Sequence, residues 1–175
     1  MVTTPDRQVS FSTHMTCVAI ALGSNVGNRE QYLQDALAAL APEVSITRVS
    51  RWFETEPVGM AAEQRPVLNA AATGETALPA RDLLARMLDI ERQLGRARPH
   101  PGAARTIDLD LILFGDQIID EPPTLIVPHP RFRERRFVLE PLADVAADWT
   151  DPVTGRTIAR LLENLGDVER GYRSE

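Results

Sequence analysis

Two aspartates stand two residues apart in the run Arg105-Thr106-Ile107-Asp108-Leu109-Asp110-Leu111-Ile112-Leu113-Phe114. Side chains alternate faces along a strand, so Asp108 and Asp110 share one face while Ile107, Leu109, Leu111 and Leu113 share the other. The strand rise sets the two carboxylates about 7 Å apart at the backbone. Like charges at that spacing repel and resist desolvation unless a cation lies between them. Hard oxygen donors suit Mg²⁺, which binds through one or two carboxylates and fills its shell with water and substrate phosphates. A solvated strand face is the alternative, although aspartate is a poor strand former and two in one strand need a reason.

Arginine is the second part of that chemistry. All 19 basic residues are arginine. The absence of lysine excludes the Walker-A phosphate loop, the kinase strand lysine, and Schiff-base or pyridoxal chemistry. Eight arginines (92, 96, 98, 105, 131, 133, 135 and 136) and six acids fall between residues 92 and 136, a local net charge of +2 in a chain of net charge −6. Guanidinium forks match phosphate oxygens bidentately. Arginines on both sides of a carboxylate pair suggest a metal–polyphosphate site. Arg92, Arg131 and Arg133 are expected on ordinary solvated surface instead.

Three further residues carry polar chemistry. His129 sits between Pro128 and Pro130, which stiffen the backbone; it is either structural or a donor to phosphate. Glu91 continues an apolar helical stripe where leucine is expected, as an edge residue near an arginine or as a ligand contact. Asn69 is an amide in an apolar strand, able to donate and accept together and so to read the edge of a heterocycle.

These residues need a frame. Cys17 to Leu22 reads as a buried strand. Asn28 caps a helix through Leu33, Ala36, Leu37, Leu40 and Ala41, with Gln31 in the capping-box position. Residues 44–54 read as a strand, and Val67 to Thr76 as another, weakened by its alanines. Pro79 opens a helix with Leu83, Leu84, Met87, Leu88 and Leu94 as its stripe, stopped by Gly95. Thr106 to Phe114 is the last clear strand. Strand, helix, strand, strand, helix, strand predicts an α+β, ferredoxin-like βαββαβ sandwich with helices on one face of an antiparallel sheet. Residues 117–149 are expected to add extended pieces, and Thr157 to Leu165 a terminal helix.

Composition bounds the rest. A chain of 175 residues holds one domain. Residues 1–14 are polar and aperiodic, an expected disordered extension before a single domain at 15–175. The single cysteine, Cys17, allows no disulfide within the chain and no multi-cysteine metal site. The apolar run near the start is too short for a membrane span or a signal core, so a cytoplasmic location is expected. The acidic net charge argues against nucleic acid and anionic membrane as partners.

The pieces, in order, resemble the hydroxymethyl-dihydropterin pyrophosphokinases of folate synthesis. The resemblance runs from about Ala19 to Leu142. Its motifs are Ala21-Leu22-Gly23-Ser24-Asn25 with Gly27-Asn28, Glu54-Thr55-Glu56-Pro57-Val58-Gly59, Leu68-Asn69-Ala70, the Arg105–Asp110 run, and Pro128-His129-Pro130 with Arg136-Phe137-Val138-Leu139. It implies transfer of pyrophosphate from the co-substrate ATP to the hydroxymethyl group of the reduced pterin, releasing AMP. It implies that Asp108 and Asp110 hold two Mg²⁺ ions and that Arg98 and Arg105 join them as the catalytic group. It further implies pterin contacts from Thr55, Val58, Asn69 and Phe137. Nucleotide contacts are implied for Glu91, Arg96, Arg98, Arg105, Ile126, His129 and Arg135. A monomer acting on these two small molecules is expected.

Three positions depart from the family's pattern. Val67 stands where an aromatic is usual, Leu88 where a glutamine is expected, and residues 99–104 replace an Arg-Trp-Gly-Pro run. Two other classes fit less well. An RNA-recognition domain needs aromatics on its central strands, and residues 18–22 and 67–76 contain none. Another two-metal enzyme needs extra ligands, and the chain has three histidines. A homologue that binds without turnover is the remaining alternative.

Overall fold

The apolar run near the start is the strand β1 (Thr16–Ser24), with residues 18–22 buried. It lies between β4 (Val67–Thr76) and β5 (Asp108–Phe114), antiparallel to both. β2 (Val44–Val49) and the short β3 (Phe53–Thr55) follow one another along the other side of β4. The main order is β2-β4-β1-β5. With α1 (Arg29–Leu40) after β1 and α2 (Ala80–Gln93) after β4, this is the expected ferredoxin-like arrangement. The structure, a computed structural model, describes residues 14–55, 66–95 and 106–172, the last six by backbone alone. The disorder expected at the start therefore falls, up to residue 13, outside the described residues.

The predicted strand over 44–54 is two strands. At the break, the Ser50 N–H donates to Ala71 O at 2.8 Å, and Ser50 Oγ accepts the Ala71 N–H at 2.9 Å. The hydroxyl takes the place of a backbone acceptor, so the ladder along β4 stays satisfied. The alanines of β4 do not weaken it. Ala70 and Ala72 lie in the core under α1 and α2, and Ala71 lies in a second core on the opposite face. Small side chains on both faces let helices approach the sheet from both sides.

Asn28 caps α1 as expected: its Oδ1 accepts the Gln31 N–H at 3.2 Å. The return half of the capping box is not made, because Gln31 Nε2 donates to Asp35 Oδ1 at 2.8 Å instead. Asn28→Ala is expected to cost about 1 kcal/mol. A urea midpoint equal to wild type would show that the cap contributes nothing. On α2 the predicted stripe is rotated. Ala80, Leu83, Met87, Ile90 and Glu91 are buried, whereas Leu88 is 38% exposed.

The C-terminal third differs most from expectation. Residues 117–149 hold one hairpin, β6 (Ile119–Glu121) with β7 (Leu125–Val127), then a 3-10 turn at Phe132–Glu134 and the helix α3 (Arg136–Ala146). Val138, Leu139, Leu142, Val145 and Ala146 are buried at helical spacing, but Pro141 lies inside the helix and interrupts the signal. The terminal helix is α4 (Ile158–Tyr172), and Thr157 Oγ1 accepts the Arg160 N–H at 3.2 Å at its start. α3 covers the second face of the sheet, and α4 packs against α3 and the 3-10 turn. Helices therefore lie on both faces, not one.

Alternation along β5 also fails at one point. Ala19 pairs with Leu113 and Ile20 with Leu111, so Ile112 is an extra residue in a β-bulge. Leu109, Leu111 and Phe114 pack on the α1/α2 side, while Ile112 and Leu113 pack on the α3 side. Leu113 thus leaves the face on which simple alternation puts it.

Candidate active site

Asp108 and Asp110 precede the bulge, so their alternation holds. Leu109 and Leu111 are buried toward α1 and α2, which turns both aspartates to the α3 side. Both are half-buried. Cross-strand register then lays out a row. Asp108 stands opposite Gly23, Gly23 opposite Asn69, and Asn69 opposite Phe53. Strands lie 4.7–4.9 Å apart, so Asp108 and Asn69 are about 10 Å apart at the backbone. Gly23 keeps the space between them low. A Cβ there would lie 3.4 Å from Asn69 Oδ1 and 3.5 Å from Val67 Cγ1.

At the Asn69 end the amide is buried and oriented: Nδ2 donates to Thr55 Oγ1 at 2.7 Å. Two of the four residues expected around a heterocycle are therefore joined directly. Phe137 is half-buried in the first turn of α3, with the Arg135 guanidinium 5.6 Å from its ring centroid. Val58 lies outside the described residues, as do Arg96, Arg98 and Arg105.

At the aspartate end the bulge has a use. The Ile112 carbonyl accepts the His129 N–H at 3.0 Å. His129 Nδ1 accepts the Arg131 N–H at 3.2 Å, so the neutral ring carries its proton on Nε2. Burial lowers the affinity of His129 for a second proton, and the positive charges of Arg135 and Arg131 lower it further; Asp108 opposes them. A neutral imidazole that donates from Nε2 suits a phosphate oxygen without competing for a metal's charge. Ile126 is half-buried on β7, opposite Asp120.

Glu91 is 2% exposed, and its Oε1 accepts the Leu109 N–H at 3.1 Å. β5 is the edge of the sheet, so that amide points away from β1. Glu91 thus supplies the acceptor a further strand would have given, between the two aspartates. Arg133, expected on solvated surface, instead pairs with the fully buried Asp151 at 2.6 Å. It fixes the turn between His129 and Arg135. Reading the sequence missed this pair, although Asp151 with Thr154 three residues on is a turn signal. It also missed Arg51, which binds both carboxylate oxygens of Asp144 on α3 at 2.9 Å.

The donor set can be weighed against the expected cation. Among the described residues no group of three or more His, Cys, Asp or Glu side chains could hold a metal ion. Two carboxylates without nitrogen or sulfur are a hard donor set, short of a full shell. That fits Mg²⁺, which takes its remaining ligands from water and phosphate.

Comparison with known proteins bears on the family and the fold. The sequence profile described as 7,8-dihydro-6-hydroxymethylpterin-pyrophosphokinase matches residues 19–147. A Bacillus subtilis protein named 2-amino-4-hydroxy-6-hydroxymethyldihydropteridine pyrophosphokinase is 48% identical over 162 residues, covering 89% of this chain and 96% of that protein. Proteins of the same name from Pseudomonas aeruginosa and Synechocystis are 42% and 38% identical over 83% and 92% of this chain, and the alignments span 89% and 82% of those proteins. The crystal structure of wild-type Plasmodium falciparum HPPK-DHPS superposes with a TM-score of 0.73 at 14% identity, covering 91% of this chain and 46% of that one. The last likeness bears on the fold alone. No described helix is long and apolar enough to cross a membrane.

Proposed function

The chain belongs to the 7,8-dihydro-6-hydroxymethylpterin-pyrophosphokinase family, and from that premise we propose how its residues divide the work. The reaction is transfer of diphosphate from ATP to the hydroxymethyl oxygen of the reduced pterin in folate synthesis. The oxygen bonds to the β-phosphorus, the bond between the α–β bridging oxygen and that phosphorus breaks, AMP leaves, and the hydroxyl proton is released. Such transfer needs positioning and charge neutralisation more than covalent catalysis.

The heterocycle lies at the Asn69 end, read by Thr55 and Asn69 and stacked on Phe137, with Val58 closing the set. The triphosphate lies at the aspartate end. Asp108 and Asp110 would hold two Mg²⁺ ions there, and these would offset the triphosphate charge and polarise the transferred group. Arg98 and Arg105 act on the transferred phosphates. Glu91, Arg96, Ile126, His129 and Arg135 bind the nucleotide, His129 through Nε2–H. One domain over 15–175 carries all of this, as a cytoplasmic monomer.

The observation that carries the proposal is the row Asp108–Gly23–Asn69, with its trough over Gly23. It sets Asp108 and Asn69 about two strand spacings apart on one sheet, which supports a reading with the phosphates and metal at one end and the heterocycle at the other. The test is product identity. With ATP, Mg²⁺ and 6-hydroxymethyl-7,8-dihydropterin, the expected products are AMP and a pterin diphosphate. ADP, or adenine products independent of pterin, would refute it.

A further inference from the structure

Arg29 is the first residue of α1. The partial positive charge at a helix N-terminus disfavours a cation there. The helix gives this position no reason to be basic, and the contacts of Arg29 lie outside it. Its side chain is 19% exposed. Nη1 donates to Glu54 Oε1 at 2.8 Å and to Pro66 O at 2.8 Å. Glu54 lies in β3, and Pro66 immediately precedes β4. One guanidinium nitrogen therefore ties the end of β3 and the start of β4 to each other and to α1.

The register shows what this controls. Glu54 pairs with Leu68, which is buried toward α1 and α2, so Glu54 and Arg29 are on that side of the sheet. Thr55 pairs with Val67, and Thr55 and Asn69 present the opposite face, where their hydrogen bond of 2.7 Å forms. Arg29 acts on that pair through the backbone. The aspartate end is borne by β5, on the far side of β1.

We propose that Arg29 is a positioning residue for the heterocycle end of the site. It fixes the spacing of residues 54–55 against 66–69, and so the alignment of Thr55 with Asn69. The inference rests on the pterin reading of those two residues. Its signature is a split between the two substrates, which a general loss of stability does not produce.

The test is steady-state kinetics of Arg29→Gln in the full chain, with ATP, Mg²⁺ and hydroxymethyl-dihydropterin. The KM for pterin is expected to rise about tenfold, with the KM for ATP and kcat within about twofold of wild type. Arg29→Lys keeps a cationic donor and is expected to recover part of the loss. An unchanged pterin KM, or an equal rise in both KM values, overturns the inference. Should Arg29→Gln fail to fold, Glu54→Gln probes the same tie at a side chain that is 56% exposed. It is expected to raise the pterin KM about twofold, and no rise overturns the inference. Wild-type protein that makes no pterin-dependent AMP overturns the activity and this inference with it. An active wild type with an insensitive Arg29→Gln overturns this inference alone.

Discussion

Asp108→Asn and Asp110→Asn are each expected to lower kcat by about a thousandfold or more, while the protein keeps its fold. Asparagine preserves the shape of each side chain and removes the charge that would hold a hard cation. Both aspartates are half-buried, and their neighbours Leu109 and Leu111 pack the other way. The core therefore loses nothing, and the melting temperature should stay within a few degrees of wild type. A second readout separates metal binding from chemistry. Mg²⁺ with a non-hydrolysable ATP analogue is expected to raise the melting temperature of wild type, because a ligand that binds only the native state stabilises it. Neither variant should show that rise. Near-wild-type turnover in either variant would remove that carboxylate from the metal site.

Asp151→Ala is expected to be the most destabilising single change outside the apolar cores. Asp151 is fully buried. It accepts from Arg133 Nε at 2.6 Å and Nη2 at 2.8 Å, from Thr154 Oγ1 at 2.7 Å and from the Val153 N–H at 3.1 Å. Alanine leaves the Arg133 charge and two further donors without their acceptor, at a cost of about 3–5 kcal/mol. The effect depends on pH with a definite sign. Burial pushes the Asp151 carboxyl up, but hydrogen bonds from Arg133, Thr154 and Val153 and the Arg133 charge outweigh it and hold it below its ordinary value. The unfolded chain then takes up the proton more readily than the folded one. The contribution is complete above the ordinary carboxylate range and fades as pH falls through the folded value, below about pH 4. Urea midpoints of wild type and Asp151→Asn should differ at neutral pH and converge in acid. A gap that persists unchanged would mean that the charge of Asp151 is not what matters. The same variant should weaken ATP binding, because Arg133 anchors the turn between His129 and Arg135.

The sites that could be read in the sequence are those governed by local rules. Asp108 and Asp110 obey strand alternation over three residues, and the structure keeps them on one face. Asn28 obeys a capping rule over four. Asn69 stands out as an amide among alanines, and its partner Thr55 sits in the neighbouring motif. Most of what escaped depends on residues far apart in the chain. The bulge at Ile112 is visible only through the pairing of β5 with β1, and it moves Leu113 to the other face. Arg133 looks like any surface arginine until a turn 18 residues on brings Asp151 against it. Glu91 reads as a gap in a stripe because the amide it accepts belongs to another element. The helix α3 was hidden by its own proline. Arg29 did carry a local sign, a cation at the wrong end of a helix, but its partners are 25 and 37 residues away.

The row through Gly23 also bears on how the site is lost. Gly23 and Ala21 belong to β1, which is paired along both edges, by β4 and by β5. From Val18 to Leu22 both faces of that strand are covered by helices, and the trough begins beyond them at Gly23. Amide protons in such a position exchange with water only when the whole sheet comes apart, in contrast to those of loops and chain ends. The scaffold joining the two ends of the site therefore belongs to the slowest-exchanging part of the molecule. Denaturant should abolish both binding functions in the same transition that unfolds the chain.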